Sequence, residues 1–396
     1  LISDFRQSGT GLSRMIGNIV YTVTDYYAYS DSPDGDIPKC GYGDYLDYVP
    51  INNICYIKNA QSCMFIVISA IDVVTGERAT GTKAILGSSG NIYCNENNVY
   101  ITSNNFKRYF DETNFMNYIH ETTADIIKVE INSDEIRFVA SGRVDGYVNN
   151  QFSMDEKDGY FRIATTDYNI LGNETNVLYV LDENLNFVGK TDVFAKGESI
   201  KAVRYIDDMA YVITFEQTDP LFVIDLSNPE KPIIKGSLEI DGFSSLLVPI
   251  SENRLLGIGY QTEESEFGTV TCGLKLVLFD ISDAENSTAL DIKDFYQFES
   301  EVQSNHKALV VNREKGYYAI SYDDNSNFGE GERKSGVMTF EINNDEIEIT
   351  NKFKSDIVNQ SYFSTRCVYI DDYIYIFGIS YLDNDTQEVV INSYKY

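Results

Sequence analysis

The amino-acid sequence predicts an all-β protein built from one repeated antiparallel unit. Three observations support this class. Helical periodicity is nearly absent, and short runs rich in Val, Ile, Tyr, Phe and Thr are separated by Gly, Asn, Asp and Pro. In addition, one strand–turn–strand phrase recurs along the whole chain of 396 residues. This repetition favours a repeat architecture over a sandwich.

The first recurring element is a hairpin, in which a strand, a polar turn and a second strand follow one another. The turns carry Asn-Asn, Asp-Gly or Asp-Asp pairs, which tolerate tight turn geometry. Seven copies occur, at 14–25, 91–104, 151–167, 203–215, 246–260, 307–322 and 366–381.

A second element follows each hairpin and supplies the rest of the unit. Its pattern is apolar–x–apolar–acidic–apolar and then a polar turn, as in "LFVIDLSNPEKP" (221–232). A further strand usually leaves that turn, as in "PIIKGSLEI" (232–240). The sequence therefore predicts a β-propeller of seven four-stranded blades, since stacking such units buries the apolar faces of each.

The two ends of the chain predict how this ring is closed. The last unit ends after its third strand, and "LISDFRQSG" (1–9) reads as a fourth strand without a unit of its own. We expect residues 1–9 to pair beside 388–396 and to close a single domain over 1–396. Four long insertions join second to third strands and are expected on one face of the disc, at 26–63, 105–122, 262–272 and 323–335.

The formal net charge of −30 restricts the partners of the chain. Such a field repels nucleic-acid phosphate and anionic membranes, so we expect neither as a partner. The longest uncharged apolar run, 64–71, has less than half of the ~20 residues of a spanning helix. The negative charge would favour a cationic partner. Alternatively, it serves only to keep the protein soluble. We expect a monomer.

The cysteines and the start of the chain bear on the cellular compartment. The chain starts at Leu1 without a signal peptide, which we interpret as a processed piece of a longer product. Cys40, Cys55, Cys63 and Cys94 crowd into one irregular stretch. This crowding predicts at least one disulfide in an exported protein, with free buried thiols as the alternative.

Several phrases are specific enough to indicate a family. They include "SRMIGNIVYTVT" (13–24), "LGSSGNIYCNENNVYIT" (86–102) and "VRYIDDMAYVITFEQTDPLFVIDLSNPEKP" (203–232). Over nearly its whole length the sequence resembles the secreted proteins with a C-terminal β-propeller domain, which are distantly related to WD repeats and occur in archaea and Gram-positive bacteria. The resemblance implies a propeller fold and an extracellular or cell-surface location, and it brings no catalytic residues with it.

Side chains for catalysis are scarce. His120 and His306 lie in different repeats, neither has a metal-type partner nearby, and no G-x-S-x-G, phosphate-binding loop or H-E-x-x-H occurs. We therefore favour a protein that is not an enzyme. Two alternatives stay open, namely an extracellular enzyme that cuts a polymer with paired carboxylates, and a docking domain for an enzyme elsewhere in the product.

Four residues are candidate ligand contacts. Arg14, Arg204 and Arg366 occupy similar places at the start of inner strands, where they would line the channel, and His306 opens an inner hairpin. Together they would hold an anionic group. Alternatively, each arginine pairs with a carboxylate of a neighbouring blade, and His306 is structural.

One loop has the spacing of a cation site. In "DDNSNFGEGE" (323–332) the oxygen-bearing residues Asp323, Asn325 and Asn327 alternate, which predicts calcium as a possible cofactor. The loop lacks the glycine and the final glutamate of a calcium loop, so a solvated loop is the alternative.

Tyrosines concentrate in the first insertion, in "DYYAYSDSPDGDIPKCGYGDYLDYVP" (25–50). Tyr with Asp and Gly is the composition of an adaptable recognition surface, and also of a well-ordered Ω-loop. We therefore predict a secreted or cell-surface binding or scaffolding propeller that recognises a protein or polysaccharide through its long loops.

Overall fold

The fold is known from a computed structural model of the chain. It describes residues 4–28, 37–57, 62–78, 81–87, 90–110, 118–132, 135–168, 174–215, 219–266, 268–326, 334–356, 365–381 and 387–396. The chain divides into two compact units. Unit 1 comprises Leu1–Glu198 with Ser227–Pro232, and unit 2 comprises Ser199–Leu226 with Ile233–Tyr396.

Unit 1 consists of strands and two short 3-10 helices, η1 (Ile51–Asn53) and η2 (Gln151–Ser153). Its strands are β1 (Phe5–Gln7), β2 (Thr10–Ile16), β3 (Ile19–Tyr27), β4 (Lys39–Tyr42), β5 (Tyr45–Tyr48), β6 (Ile54–Tyr56), β7 (Met64–Asp72), β8 (Lys83–Leu86), β9 (Ile92–Cys94), β10 (Asn98–Phe110), β11 (Tyr118–Ile131), β12 (Ile136–Asp145), β13 (Met154–Lys157), β14 (Tyr160–Tyr168), β15 (Glu174–Leu181) and β16 (Phe187–Lys190). They form sheets in the orders β2-β3-β7-β8-β6, β9-β10-β11-β12, β13-β14-β15-β16 and β1-β4-β5.

Unit 2 follows the same plan, with 3-10 helices η3 (Glu301–Gln303) and η4 (His306–Ala308). Its strands are β17 (Ser199–Ile206), β18 (Met209–Phe215), β19 (Asp219–Asp225), β20 (Ile233–Ile240), β21 (Phe243–Ser251), β22 (Arg254–Ser265), β23 (Gly268–Asp280), β24 (Thr288–Tyr296), β25 (Phe298–Glu299), β26 (Val310–Asn312), β27 (Tyr317–Asp324), β28 (Lys334–Asn343), β29 (Glu346–Lys354), β30 (Arg366–Ile370), β31 (Tyr373–Tyr381) and β32 (Gln387–Lys395). The sheets are β17-β18-β19-β20, β21-β22-β23-β24, β25-β27-β28-β29 with β26 also on β27, and β30-β31-β32.

The middle strands of these sheets are buried because they are apolar on both faces. In β7, for example, Phe65 to Ala70 are all buried, whereas the fourth strand β20 alternates between exposed and half-buried residues. Cores form between consecutive sheets within a unit. In unit 1 the Tyr100 ring of one sheet stacks on Phe161 of the next, with ring centroids 4.1 Å apart. Each sheet therefore contributes apolar residues to a core shared with its neighbour.

A recurring glycine lets consecutive sheets approach each other closely. The fourth strands carry Gly142, Gly189 and Gly236 at equal spacing along the chain. An added Cβ at Gly236 would lie 2.7 Å from the Glu285 carbonyl oxygen, and one at Gly142 would lie 2.8 Å from that of Leu185. Both carbonyls belong to the turn between the third and fourth strands of the next sheet. No side chain larger than hydrogen fits there without backbone movement.

The predicted hairpins are confirmed, because each of the seven forms a pair of antiparallel strands among the described residues. The predicted pairing of residues 1–9 with 388–396 is not found among the described residues. Strand β1 pairs antiparallel with β4 of the first insertion, with Phe5 opposite Tyr42. A partner about 35 residues away costs less loop-closure entropy than one at the far end of the chain. The Phe5 and Tyr42 rings add an edge contact at 5.4 Å.

The predicted insertions are strands in part, where loops are predicted. Strands β10 and β11 extend into 105–122, and β22 and β23 extend into 262–272. The end of β22 is polar, with Thr262, Glu263, Glu264 and Ser265 in sequence. Part of 323–335 lies outside the described residues.

The predicted disulfide is also wrong, since Cys40, Cys55, Cys63 and Cys94 are all free thiols. The Cys40 thiol is buried and lies 3.2 Å from the Thr82 hydroxyl. Burial raises the pKa of the Cys55 thiol to about 11, which keeps it protonated at neutral pH. The cysteines therefore lend no support to an oxidising compartment. None of the helices among the described residues has both the length and the apolar character needed to cross a membrane.

Candidate binding sites

The three predicted arginines lie on first strands, as expected, in two different units. Arg14 is exposed on β2 in unit 1. Burial raises the pKa of the nearby Cys94 thiol, and the positive charge of Arg14 offsets only part of that rise. Arg204 is half-buried on β17 in unit 2. Arg366 begins β30 in unit 2, and its Nε lies 3.4 Å from Glu301 Oε2.

The ion pair of Arg366 with Glu301 fits the alternative in which each arginine pairs with a carboxylate and does not contact a ligand. The Glu301 side chain is only 10% exposed, and it belongs to η3, which lies between β25 and β26 of the neighbouring sheet. Its other carboxylate oxygen accepts a hydrogen bond from Asn305 at 2.8 Å. Glu301 thereby links Arg366 to the residue that precedes His306. A role for Arg14, Arg204, Arg366 and His306 in holding an anion stays a prediction.

His306 is the first residue of η4, which Asn305 caps by accepting the Lys307 backbone N–H. Burial, and next the positive charge of Lys307, lower the pKa of His306. The imidazole is therefore neutral at pH 7.

The predicted calcium loop begins in a strand. Asp323 is buried near the end of β27, where it lies opposite Ser335, and Asn325 follows the strand. Asp324 accepts the Ser326 backbone N–H at 3.0 Å, which makes a local turn. Asn327 lies outside the described residues. Among those that are described, no three His, Cys, Asp or Glu side chains are arranged to hold a metal ion.

The described part of the tyrosine-rich insertion forms a small sheet with β1 rather than an irregular loop. Its underside is fixed to the first large sheet of unit 1 by the buried residues Cys40 and Val49, which pack with Phe65 and Val67. At the tip of the β4–β5 hairpin, Gly43 has φ +56°, a left-handed conformation that favours glycine. The hairpin is therefore held firmly in place.

Strand β5 and the helical turn η1 expose apolar side chains, which we call the tyrosine surface. It consists of Tyr45, Leu46, Tyr48 and Ile51, and their exposed fractions are 89%, 40%, 42% and 79%. The Lys39 ammonium lies 4.4 Å from the centre of the Tyr48 ring and helps to hold it. Strand β5 is also the edge of its sheet.

A cavity of about 450 Å³ lies within unit 2, where two of the predicted insertions adjoin. The long β22–β23 hairpin contributes Tyr260, Glu263 and Cys272, and Asn325 comes from the insertion after β27. Gln297 joins β24 to β25 at φ +61°, and its backbone N–H donates to the Cys272 carbonyl at 2.7 Å. Asn325 N–H donates to the Gln297 carbonyl at 3.0 Å. These bonds tie the three wall segments together.

The electrostatics of the cavity are negative. Burial, and next the charge of Glu299, raise the pKa of Tyr260. Burial, and next the charges of Glu263 and Asp294, raise the pKa of the Cys272 thiol. Both groups are therefore neutral at pH 7, and Cys272 is not a thiolate nucleophile.

Comparison with known families decides the class of the fold. The family described as "Beta propeller domain" matches residues 4–387. The chain belongs to this family. The β-propeller fold predicted from the sequence is thus confirmed.

Two relatives of this propeller are similar over about two thirds of its length. An uncharacterized protein of Archaeoglobus fulgidus is 38% identical over 280 residues, which cover 69% of this chain and 40% of the relative. An uncharacterized protein of Methanocaldococcus jannaschii is 33% identical over 279 residues, which cover 68% of this chain and 40% of the relative. The aligned part of the propeller thus spans about two fifths of these curated relatives.

Solved structures similar to this propeller have little sequence in common with it. Periplasmic gluconolactonase of Pseudomonas aeruginosa is 8% identical, with a TM-score of 0.45 over 83% of this chain and 92% of that chain. BamB of Moraxella catarrhalis is 12% identical, with a TM-score of 0.40 over 94% of this chain and 93% of that chain.

The sequence did not predict the cavity. Tyr260, Tyr296 and Asn325 are separated in the chain, and of these only Asn325 belongs to a recognisable pattern, the alternating oxygen-bearing residues of the predicted calcium loop. The one available signal was that the insertions at 262–272 and 323–335 follow the second strands of consecutive repeats.

Proposed function

We propose that this propeller is an extracellular, non-catalytic binding module that docks a protein partner through the tyrosine surface. The observation that carries the proposal is the exposure of four apolar side chains on one short, firmly packed hairpin and the helical turn that follows it. Soluble proteins rarely leave clustered apolar side chains in water without a use for them.

The chemistry of the surface favours a protein over a polysaccharide. Tyrosine offers a large contact area with few rotatable bonds and is enriched where binding energy concentrates. Leu46 and Ile51 are aliphatic and cannot donate or accept hydrogen bonds. They gain most against an apolar protein patch and least against hydroxyl-rich sugar. The net charge of −30 favours a partner whose own surface is basic.

The rigidity of the β4–β5 hairpin lowers the entropic cost of binding. Because Cys40 and Val49 are buried beneath the hairpin, the backbone that carries Tyr45 and Tyr48 is already ordered. Little conformational entropy then remains to be lost on docking.

A binding comparison tests the proposal. Wild type, Tyr45→Ser/Ile51→Ser, and Phe187→Ser are immobilised and exposed separately to surface proteins and to surface polysaccharides of the source organism. Phe187 is a matched control, since it is also apolar, 62% exposed and in unit 1. Loss of two side chains at about 2 kcal/mol each should weaken binding of a protein about 1,000-fold.

The outcomes separate clearly. Equal binding by wild type and the double variant would refute the tyrosine surface as the site. Selective retention of polysaccharide would refute the protein partner. Weaker binding by Phe187→Ser as well would point to general adhesion.

The extracellular location rests on the resemblance to secreted propellers. Brief protease treatment of intact cells should degrade the protein while a cytoplasmic marker survives. Survival of both would contradict this location.

A further inference from the structure

A second cavity lies within unit 1, between its first two large sheets. Its volume is about 510 Å³, which is in the range of small-ligand sites. Tyr56 and Ile57, where β6 ends, form the wall on the first sheet. Ser141 and Arg143 of β12 form the wall on the next sheet, and Asp125 of β11 lies beside them. Both walls therefore belong to one compact unit.

The register of β11 and β12 brings the polar side chains of the second wall together. Arg143 lies opposite Asp125, and Ser141 lies opposite Ile127. Because strand residues two apart point to the same side of a sheet, Ser141 and Arg143 share one face. The hydroxyl and the guanidinium group are thus neighbours in the wall of the cavity.

Asp125 fixes the guanidinium group of Arg143. Its Oδ1 accepts a hydrogen bond from Arg143 Nε at 2.6 Å, and its Oδ2 accepts one from the Asn105 side chain at 2.9 Å. The Asp125 side chain is only 10% exposed, so the arginine is anchored on a buried group. The hydrogen bond to Asp125 raises the pKa of Arg143, which keeps the guanidinium charged. Both oxygens of Asp125 are therefore already in use.

The other N–H groups of Arg143 are open to a ligand. The side chain is 47% exposed, and among the described residues it pairs only with Asp125, through Nε. The donors on Nη1 and Nη2 thus have no partner in the described part of the chain. The same is true of the hydroxyl groups of Ser141 and Tyr56. The cavity therefore offers unused donors, whereas its carboxylate is occupied.

The first wall is suited to an apolar group. The Tyr56 side chain is 74% exposed, and Ile57 is half-buried against the core cluster that includes Ile127. Methylene groups that leave water for such a wall gain free energy in proportion to the apolar area that they cover. A ligand with a polar end at Arg143 and an apolar body on Tyr56 and Ile57 fits both walls.

The charges of the site favour a single negative charge at that polar end. A cation would be repelled by Arg143, and Asp125 has no unused oxygen to attract it. A polyanion would be repelled by the net charge of −30. A single carboxylate carries little of that penalty, because salt at about 0.15 M largely screens exposed charges beyond about 8 Å.

We propose that this cavity binds a small organic carboxylate with an apolar body. The two carboxylate oxygens accept parallel hydrogen bonds from Arg143 Nη1 and Nη2, a geometry that the planar guanidinium favours. The Ser141 hydroxyl donates a further hydrogen bond, and the apolar body packs on Tyr56 and Ile57. No residue of the tyrosine surface lines this cavity, so the two proposals stand or fall independently.

Calorimetric titration of the full chain with four probes at pH 7 tests the assignment. We expect saturable binding of hexanoate, with a dissociation constant on the order of 1 mM for so small a ligand. Hexanamide has the same body without the charge and should bind at least about tenfold more weakly. Acetate has the charge without most of the body, and we expect a loss of about tenfold for it as well. Hexylammonium should not bind measurably, because Arg143 repels it.

Two variants locate the site. Arg143→Lys keeps a positive charge beside Asp125 but removes the pair of Nη groups, so it should weaken hexanoate binding at least about fivefold. Arg137→Lys is the matched control, because Arg137 lies on the same strand, pairs with Glu130 and does not line the cavity. We expect it to bind hexanoate as wild type does.

Several results would overturn the proposal. They are the absence of saturable hexanoate binding, equal binding of hexanamide, acetate or hexylammonium, and unchanged affinity in Arg143→Lys. An equal loss of affinity in Arg137→Lys would also overturn it, since binding would then depend on general charge. The comparison of probes is made on wild type and stands even if Arg143→Lys does not fold.

Discussion

Replacing Gly236 by alanine should destabilise unit 2. The new Cβ would lie 2.7 Å from the Glu285 carbonyl oxygen and 2.9 Å from that of Ala284. Both are backbone atoms in the turn between β23 and β24, so they can retreat only if the turn moves away from β20. Overpacking of this kind costs about 1–3 kcal/mol.

The size of unit 2 converts this cost into a melting temperature. For units of about 150–250 residues, each kcal/mol lowers Tm by about 2–4 °C, so Gly236→Ala should lower it by about 2–12 °C. Differential scanning calorimetry measures the change in Tm.

Gly81→Ala is the control for Gly236→Ala. Its added Cβ would meet only the end of the Asn53 side chain, at 3.6 Å. We expect it to be neutral or slightly stabilising, because alanine restricts the unfolded chain. A Gly236→Ala protein as stable as wild type would refute the close approach of consecutive sheets.

Two further predictions concern Arg366 and His306. Arg366→Met leaves the buried Glu301 carboxylate without its ion pair. The free energy of unfolding should fall by about 1–3 kcal/mol, which lowers Tm. An unchanged Tm would contradict a structural role for Arg366. The lowered pKa of His306 means that the unfolded chain takes up its proton first as pH falls. The free energy of unfolding should therefore decline below about pH 6.5, by at most about 1.4 kcal/mol per pH unit. The decline should be less steep in His306→Gln. Parallel plots of unfolding free energy against pH for wild type and variant would contradict this.

The strands of the repeated unit were predictable because their pattern is local. In β14 and β18 a polar turn and a buried apolar run lie within about 15 residues of one another. The recurrence of Gly142, Gly189 and Gly236 at equal spacing was also visible in the sequence. The structural reason for these glycines could not be predicted, because it depends on a carbonyl group of the next repeat.

The errors arise where the partner of a segment is set by tertiary packing. Strand β1 has the composition of a fourth strand, and nothing in its own residues distinguishes 388–396 from β4 as its partner. The crowded cysteines suggested disulfides, yet Cys40 packs as a small apolar side chain. The cavity is space that side chains leave unfilled, which no linear pattern records.

The tyrosine surface is the central claim, and photo-crosslinking tests it most directly. Tyr45→p-benzoylphenylalanine places a photo-reactive group at the most exposed point of the surface, and Phe187→p-benzoylphenylalanine is the control in the same unit. Irradiation on intact source cells should give one discrete protein adduct from position 45 and none from position 187. No adduct from position 45, or the same adducts from both positions, would contradict the account.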